Sequence, residues 1–243
     1  MRGRKYMRML PRAVTLMLVA WSAQLAVAQA TTPGLAPQTM SNGMRLLTVQ
    51  VDKADKVSLA LALPVGWRHD PAGQTGLAEL LRWYLRLAQR DQDERHQFLV
   101  TARPDHTMVW YTGPKKFVTE RLRFLERILS ADVFPARDGR LHDIASGRAR
   151  LLADDHAWLV PGKIIRQKAW RTLAASAPLG RQHYGIPQEI KRIHSHIVEQ
   201  RLRSHYGPAG AALVLIGDFT GLRLADVEQR FAKIPARPAD RSP

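Results

Sequence analysis

The chain carries two kinds of hydrophobic pattern, and each predicts a different element. Short runs in which every second residue is apolar predict β-strands, because successive side chains of a strand point to opposite faces. Segments with apolar residues three and four positions apart predict helices that bury one face. The expected strands cover 44–51, 57–63, 97–102, 107–112 and 211–216. The expected helices cover 117–129, 141–153, 164–175, 193–205 and 222–234, and another opens at Gly76.

This succession of elements predicts an α+β fold: a mixed, mostly antiparallel sheet with helices packed on one face. Turn residues separate the strands, with Asn42-Gly43 before the first and Pro104-Asp105 between the third and fourth. We expect one domain over residues 42–235. A Pro- and Thr-rich flexible leader, 31–41, should precede it, and a disordered tail, 236–243, should follow it.

Residues 1–30 have the features of a secretory signal. Basic residues occupy the start, Ala13 to Trp21 is an apolar run, and Ala28-Gln29-Ala30 is a small-residue cleavage site. The run is too short for a comfortable membrane span, so membrane attachment is expected only if this signal stays uncleaved. The chain has no cysteine, which excludes disulfides and a cysteine-linked lipid anchor. We therefore expect export to a bacterial periplasm.

The chain is strongly basic, with a formal net charge of +16. Without the five basic residues of the signal, 32 Lys and Arg still face 21 acidic residues. Such a charge favours contact with anionic lipid, acidic protein or nucleic acid. The basic residues are scattered, however, and no nucleic-acid-binding module is recognisable. A solvated surface is the simpler interpretation, and we expect no nucleic-acid partner.

The helix that opens at Gly76, GLAELLRWYL, carries the candidate chemistry. Its apolar stripe and an i,i+3 pair between Glu79 and Arg82 on the opposite side are typical of a structural helix. Thr75 is the expected N-cap. The stripe consists of Leu77, Leu80, Leu81, Tyr84, Leu85 and Ala88.

The same segment resembles the metal-binding helix of the insulinase/pitrilysin-type zinc peptidases (inverzincins), which reads close to G-L-A-H-F-L-E-H-M-L and carries H-x-x-E-H. In that register this chain has Glu79, Arg82 and Trp83. Glu79 could bind a metal through oxygen, but the indole of Trp83 offers no lone pair and the guanidinium of Arg82 stays protonated. The motif is therefore degenerate. We expect no catalytic residue, no metal ligand and no bound zinc, although the resemblance would imply zinc.

The resemblance covers about residues 40–235. It includes the turn Gly66-Trp67-Arg68, the segment Tyr184-Gly185, and Tyr206-Gly207-Pro208 before a buried strand that ends in Gly217-Asp218. The family's third zinc ligand is a glutamate on the helix matching 141–153. No glutamate occurs between Glu126 and Glu189, and Asp143 is the nearest acidic residue. Family subunits carry two such domains, and this chain matches the first, so an insulinase-family half-subunit fold is expected.

Three functions follow as hypotheses. By analogy with family members that pair active and inactive subunits, the chain would be an inactive partner or regulatory subunit. Its protein partner would be an active zinc peptidase subunit or a separately encoded second domain. A second hypothesis is residual zinc peptidase activity through rearranged ligands such as Glu79 and a nearby histidine.

The third is a peptide-binding module in which strand 97–102 lies at the sheet edge and contacts a peptide through Phe98, Val100 and Ala102. Other histidine groupings are interpreted as surface residues: His194 with His196, Asp105 with His106, and 154–156.

Overall fold

The structure is a computed structural model. Its central feature is a six-stranded mixed sheet. The structure describes residues 36–88, 97–133, 138–153, 161–174, 177–180 and 184–237. The strands are β1 (Gln38–Thr39), β2 (Arg45–Gln50), β3 (Lys56–Leu63), β4 (Gln97–Ala102), β5 (Thr107–Pro114) and β6 (Ala212–Gly217).

The strands lie in the order β1-β2-β6-β3-β5-β4, so β4 is at one edge. Within this sheet β2 and β6 pair in parallel, and the other pairs are antiparallel. β6 comes last in the sequence but inserts between β2 and β3, which places it in the interior of the sheet. Its nearly continuous apolar sequence, ALVLIG, suits that position. The predicted α+β class with a mixed, mostly antiparallel sheet is confirmed.

Seven helices accompany the sheet in the part of the chain that the structure describes. Each helix expected from periodicity is present, with ends that differ by at most three residues from the prediction. The short α5 was not predicted, because a helix that opens with proline and lasts six residues shows too little periodicity. The helices are α1 (Leu77–Leu87), α2 (Val118–Ser130), α3 (Asp138–Ala153), α4 (Pro161–Ala174), α5 (Pro187–Arg192), α6 (Ser195–His205) and α7 (Leu224–Ala232).

The two faces of the sheet differ sharply. On β3, Val57, Leu59, Leu61 and Leu63 are completely buried in the core shared with the helices. The residues between them point to the opposite face, which remains accessible. The strand pairing places one apolar row directly across that open face, from the β4 edge to β2. The row consists of Leu99, Trp110, Ala60, Val214 and Leu47.

Both expected flexible ends contain ordered contacts. In the expected leader, Gln38–Thr39 forms β1, whose backbone is satisfied by antiparallel pairing with Arg45 and Leu46. Met40, the next residue, is buried. Near the other end, the Arg237 guanidinium donates to the carbonyl oxygens of Arg203 (3.0 Å) and Leu129.

The signal 1–30, residues 31–35 of the leader and residues 238–243 of the tail lie outside the described residues, as does the 154–156 grouping. Contacts divide the chain into Met1–Ala36 and Pro37–Pro243, and every element above belongs to the second unit. Among the described residues, no helix is long and apolar enough to cross a bilayer.

Candidate functional site

The N-terminus of α1 is fixed by a buried carboxylate, and the predicted cap at Thr75 is wrong. The N-cap position belongs to Gly76, whose φ of 91° favours glycine. Asp70 accepts hydrogen bonds from the backbone N–H groups of Gly76 (3.0 Å) and Ala78 (3.1 Å). Thr75 instead donates its hydroxyl to the Glu189 carboxylate (2.6 Å) and accepts from the N–H of Ile186 (3.0 Å), so it contacts the start of α5 and does not cap α1.

Asp70 also faces a buried cation. Its carboxylate lies 3.7 Å from the guanidinium of Arg201 on α6, and both side chains are almost completely inaccessible. Burial raises the pKa of Asp70 to about 7, although Arg201 and the N–H donors of α1 act in the opposite direction. Next to this pair, the hydroxyls of Tyr206 and Thr107 lie 3.1 Å apart. Charge and hydrogen bonds therefore hold α1 to α6 and β5.

Glu79, the first position of the motif, is buried at 3% exposure rather than on a solvent-facing side. It accepts hydrogen bonds from Nε (2.8 Å) and Nη2 (2.5 Å) of Arg82, which confirms the expected i,i+3 pair. Helix α1 packs against β4, α3 and α6, so its polar flank is covered as well as its apolar stripe. A buried carboxylate needs a partner of opposite charge, and Arg82 supplies one from its own helix.

The third motif position holds Trp83, whose indole is close to two cations. The guanidinium of Arg82 is 5.3 Å from the ring centroid and that of Arg86 is 5.6 Å away, both within cation–π range. Helix α3 approaches the same turn of α1 at Gly147, where a Cβ atom would lie 2.8 Å from Leu80 and 3.8 Å from Trp83. The space beside the motif is therefore filled by side chains and by the neighbouring helix.

These residues do not fit the zinc ion that the fold family implies. Zinc prefers imidazole, thiolate or carboxylate ligands. Here the only carboxylate of the motif, Glu79, is bound by Arg82. Asp143 lies in α3, but its side chain is outside the described set. No group of three His, Asp or Glu residues that could hold a metal occurs in the described part of the chain.

The remaining histidine groupings lie on the surface. His194 and His196 stack with ring centroids 6.0 Å apart, and both are exposed. Asp105 and His106 form an exposed pair at 2.7 Å in the turn between β4 and β5, and that hydrogen bond lowers the pKa of Asp105. Neither grouping adjoins a further acidic or histidine side chain among the described residues that would complete a metal site.

Strand β4 lies at the sheet edge, as the peptide-binding hypothesis requires. The side chains of Phe98, Val100 and Ala102 point to the core, with Phe98 packed edge-on against Phe124 at 5.7 Å. They cannot contact a peptide on the open face.

The backbone N–H and C=O groups of these three residues point in a different direction from their side chains. The Arg103 N–H donates to the His106 carbonyl (2.8 Å), which makes these two residues a hydrogen-bonded pair. Because such pairs alternate along an antiparallel ladder, the N–H and C=O groups of Phe98, Val100 and Ala102 are directed away from β5, toward the edge.

The residues that alternate with them form a pocket that our sequence interpretation missed. It has a volume of about 230 Å³ and opens on the uncovered face of the sheet beside the edge. Alternation along β4 places Leu99 and Thr101 on the face opposite to Phe98, Val100 and Ala102. Only the pairing of β4 with β5 brings them beside Met108 and Trp110 to form the pocket. The lining residues are Leu99, Thr101, Arg103, His106, Met108 and Trp110.

The fold resembles several solved structures of peptidase M16 and related proteins. No protein-family model and no curated protein matches the sequence. The inactive domain of a peptidase M16 from Pseudomonas fluorescens aligns with a TM-score of 0.68 and 20% identity, over 85% of this chain and 52% of that one. The periplasmic protease PqqL from Escherichia coli aligns with a TM-score of 0.67 and 16% identity, over 87% of this chain and 25% of that one. A chain of Complex III2 from Candida albicans aligns with a TM-score of 0.69 and 16% identity, over 86% of this chain and 49% of that one.

The chain therefore spans about half the length, or less, of the solved structures that it matches. At these identities the likeness establishes the fold alone. The predicted half-subunit fold of the insulinase (M16) type is confirmed.

Proposed function

We propose that this chain is an exported, non-catalytic M16-like protein that acts by binding a protein partner. The observation that carries the proposal is the state of the motif helix. Glu79 is buried in an ion pair with Arg82, and two guanidinium groups lie within cation–π range of Trp83. A hydrolytic zinc site needs several ligands with lone pairs and a base that can accept a proton. Arg82 and Trp83 supply neither, and the carboxylate of Glu79 is already bound by Arg82.

The open face of the sheet supports a binding role. Leu99 and Trp110 are each 47% exposed and lie opposite each other in the strand pairing, and Ile216 is also exposed on this face. Contiguous exposed apolar surface of this kind is typical of an interaction site. The partner would be an active M16-type subunit or a separately encoded domain that completes a two-domain subunit. The secretory features of 1–30 and the periplasmic location of PqqL favour the periplasm as the compartment.

Two measurements test this proposal. Purified chain supplied with zinc should not cleave unstructured protein substrates, and Glu79→Ala should not alter that result. Affinity capture from the periplasm should recover a partner with the wild type but not with Leu99→Ser/Trp110→Ser. Val51→Ser is the matched control, because Val51 is similarly exposed but follows β2. Zinc-dependent cleavage that Glu79→Ala abolishes would overturn the inactive assignment. A monomer without any binder would overturn the partner role.

Peptide binding at β4 is a second candidate, favoured by the outward backbone groups of Phe98, Val100 and Ala102. An added strand would pair with these groups, and its side chains would lie over the pocket at Trp110. Val100→Pro removes one edge N–H without removing a hydrogen bond to β5, and Val100→Ala is the control that keeps the N–H. Peptide-induced NMR shifts should disappear in the proline variant only. Loss in both variants, or in neither, would count against edge pairing.

A further inference from the structure

Helix α4 has both covered and exposed side chains in the part of the chain that the structure describes. Trp170 packs edge-on against Trp67 with ring centroids 6.4 Å apart, and the turn Pro178–Gly180 also contacts the helix. Elsewhere on the helix, Ile165 is 67% exposed and Leu173 is 82% exposed. They are the two most exposed large apolar side chains in the described part of the chain. Neither contributes to the core.

The exposed apolar residues form a stripe. Ile165, Ala169 and Leu173 follow one another at i, i+4 and i+8, so they lie on one face of the helix over about 12 Å. Lys168 and Arg171 are also exposed and lie along one flank of this stripe. Apolar side chains at this spacing, with cations beside them, are the pattern of a helix that lies in a membrane interface.

The charge of α4 has a single sign. Between Pro161 and Ala174 the sequence contains four basic residues, Lys163, Arg166, Lys168 and Arg171, and no acidic residue. A basic amphipathic helix with exposed aliphatic residues complements a surface that combines negative charge with an apolar layer beneath it. A bilayer containing anionic lipid has both properties.

We propose that α4 is a membrane-surface element that rests its Ile165–Leu173 stripe on anionic lipid. Three apolar side chains present much less surface than the roughly 800 Å² per partner of a stable protein–protein interface. Shallow insertion combined with charge attraction suffices for reversible attachment to lipid. A helix of 14 residues is too short to span the bilayer, so it would lie in the plane of the surface. This proposal does not depend on the proposed partner function.

The absence of cysteine makes a local test practical, since any introduced cysteine is unique. We would label Leu173→Cys with an environment-sensitive fluorophore and add vesicles of phosphatidylglycerol and phosphatidylcholine, or of phosphatidylcholine alone. The expected result is a blue shift with the anionic vesicles only. Ile216→Cys is the matched control, because it is an exposed aliphatic position on the open sheet face. The label reports its own surroundings, so binding through residues 1–30 does not imitate the result.

Charge reversal and salt complete the experiment. Each basic residue near an anionic surface strengthens binding about fivefold, so Lys168→Glu/Arg171→Glu should weaken the response of the label at position 173 at least about 30-fold. Raising the salt from about 0.15 to about 0.5 M should weaken it as well. Equal responses at positions 173 and 216, or no response to anionic vesicles, would overturn the proposal. A response to soluble periplasmic protein but not to vesicles would identify a protein-docking face and would overturn it too.

Discussion

Gly147 of α3 lies so close to Leu80 of α1 that a Cβ atom at position 147 would come within 2.8 Å of the Leu80 Cδ1 atom. Leu80 is completely buried, so it has little room to move away. The glycine therefore sets how closely α3 approaches α1, the helix that carries Glu79 and Arg82. Trp83 occupies the next turn of α1 beside the same contact.

Gly147→Leu should destabilise the fold by about 1–3 kcal/mol, because a larger side chain must push α3 from α1 or force Leu80 into another rotamer. Gly147→Ala should have a smaller net effect, since the gain in helix propensity offsets part of the clash. Urea unfolding would measure both. Ala145→Leu is the control, as position 145 is exposed on the same helix. Equal stability of the two leucine variants would show that α3 does not pack as described.

Arg82→Leu should be more damaging than Arg86→Leu. Both arginines contact the Trp83 ring, but only Arg82 binds Glu79, whose side chain is 4% exposed. Removing Arg82 takes one cation away from a buried carboxylate, which typically costs about 3 kcal/mol, reduced here because the Arg82 side chain is 18% exposed. Thermal unfolding of the two variants provides the comparison.

The double variant Glu79→Gln/Arg82→Leu sharpens that comparison. It removes the charge as well as the partner, so it should recover part of the stability that Arg82→Leu loses. If Arg82→Leu and Arg86→Leu lowered the melting temperature equally, the ion pair would not be the reason for the cost.

Alternation and helical periodicity predicted the long elements because burial on one face follows directly from local spacing. The stripe of α1 belongs to this class, except for Ala88, which is exposed beyond the helix end. The three β4 residues expected to contact a peptide face the core instead. The burial of Glu79 was not predictable in the same way, because it depends on how α1 packs against elements distant in the sequence. The capping role of Asp70 was missed for a related reason. Asp70 precedes α1 by several residues and returns to it only through the loop, whereas Thr75 stands directly before the helix, where an N-cap is usually found.

Stability should fall as the pH rises from about 4 to about 7 through the titration of Asp70. Its pKa of 3.8 in the unfolded chain rises to about 7 in the fold, so the native state binds the proton more tightly. The stabilising contribution of this site is therefore complete below about pH 4 and is lost as the pH passes about 7. Asp70→Asn should flatten this part of the profile, which urea unfolding at a series of pH values would measure.

Asp55→Asn is a control for that profile, because Asp55 is exposed in the turn before β3. The change in slope caused by Asp70→Asn should exceed any change caused by Asp55→Asn. Asp70→Ala should also lose the cap on α1, at a cost of about 1 kcal/mol beyond Asp70→Asn. A wild-type profile that is flat, or that rises over this range, would contradict the assigned direction.

Asn42 joins the start of the fold to its last helix. Its side-chain N–H₂ donates to the carbonyl oxygens of Phe231 (2.7 Å) and Ile234 (3.1 Å), and its oxygen accepts from the N–H of Met44. The turn at Asn42-Gly43 was predicted from sequence, but this capping of the C-terminal end of α7 was not. Asn42→Ala should cost about 2 kcal/mol, because the Ile234 carbonyl loses this donor and the Phe231 carbonyl keeps only its weaker bond from the Ile234 N–H (3.2 Å).

Asn42→Asp tests whether donation is the reason. Above its pKa the carboxylate cannot donate and faces two carbonyl oxygens, so Asn42→Asp should be less stable than Asn42→Ala at about pH 8. Below its pKa the neutral acid can donate one hydrogen bond, so the variant should regain stability toward about pH 4. Gln38→Ala, which removes an exposed hydrogen bond to Glu228, should change stability by less than about 0.5 kcal/mol. If Asn42→Asp were as stable as the wild type at high pH, these contacts would contribute nothing, because a charged acceptor cannot replace the amide donor there.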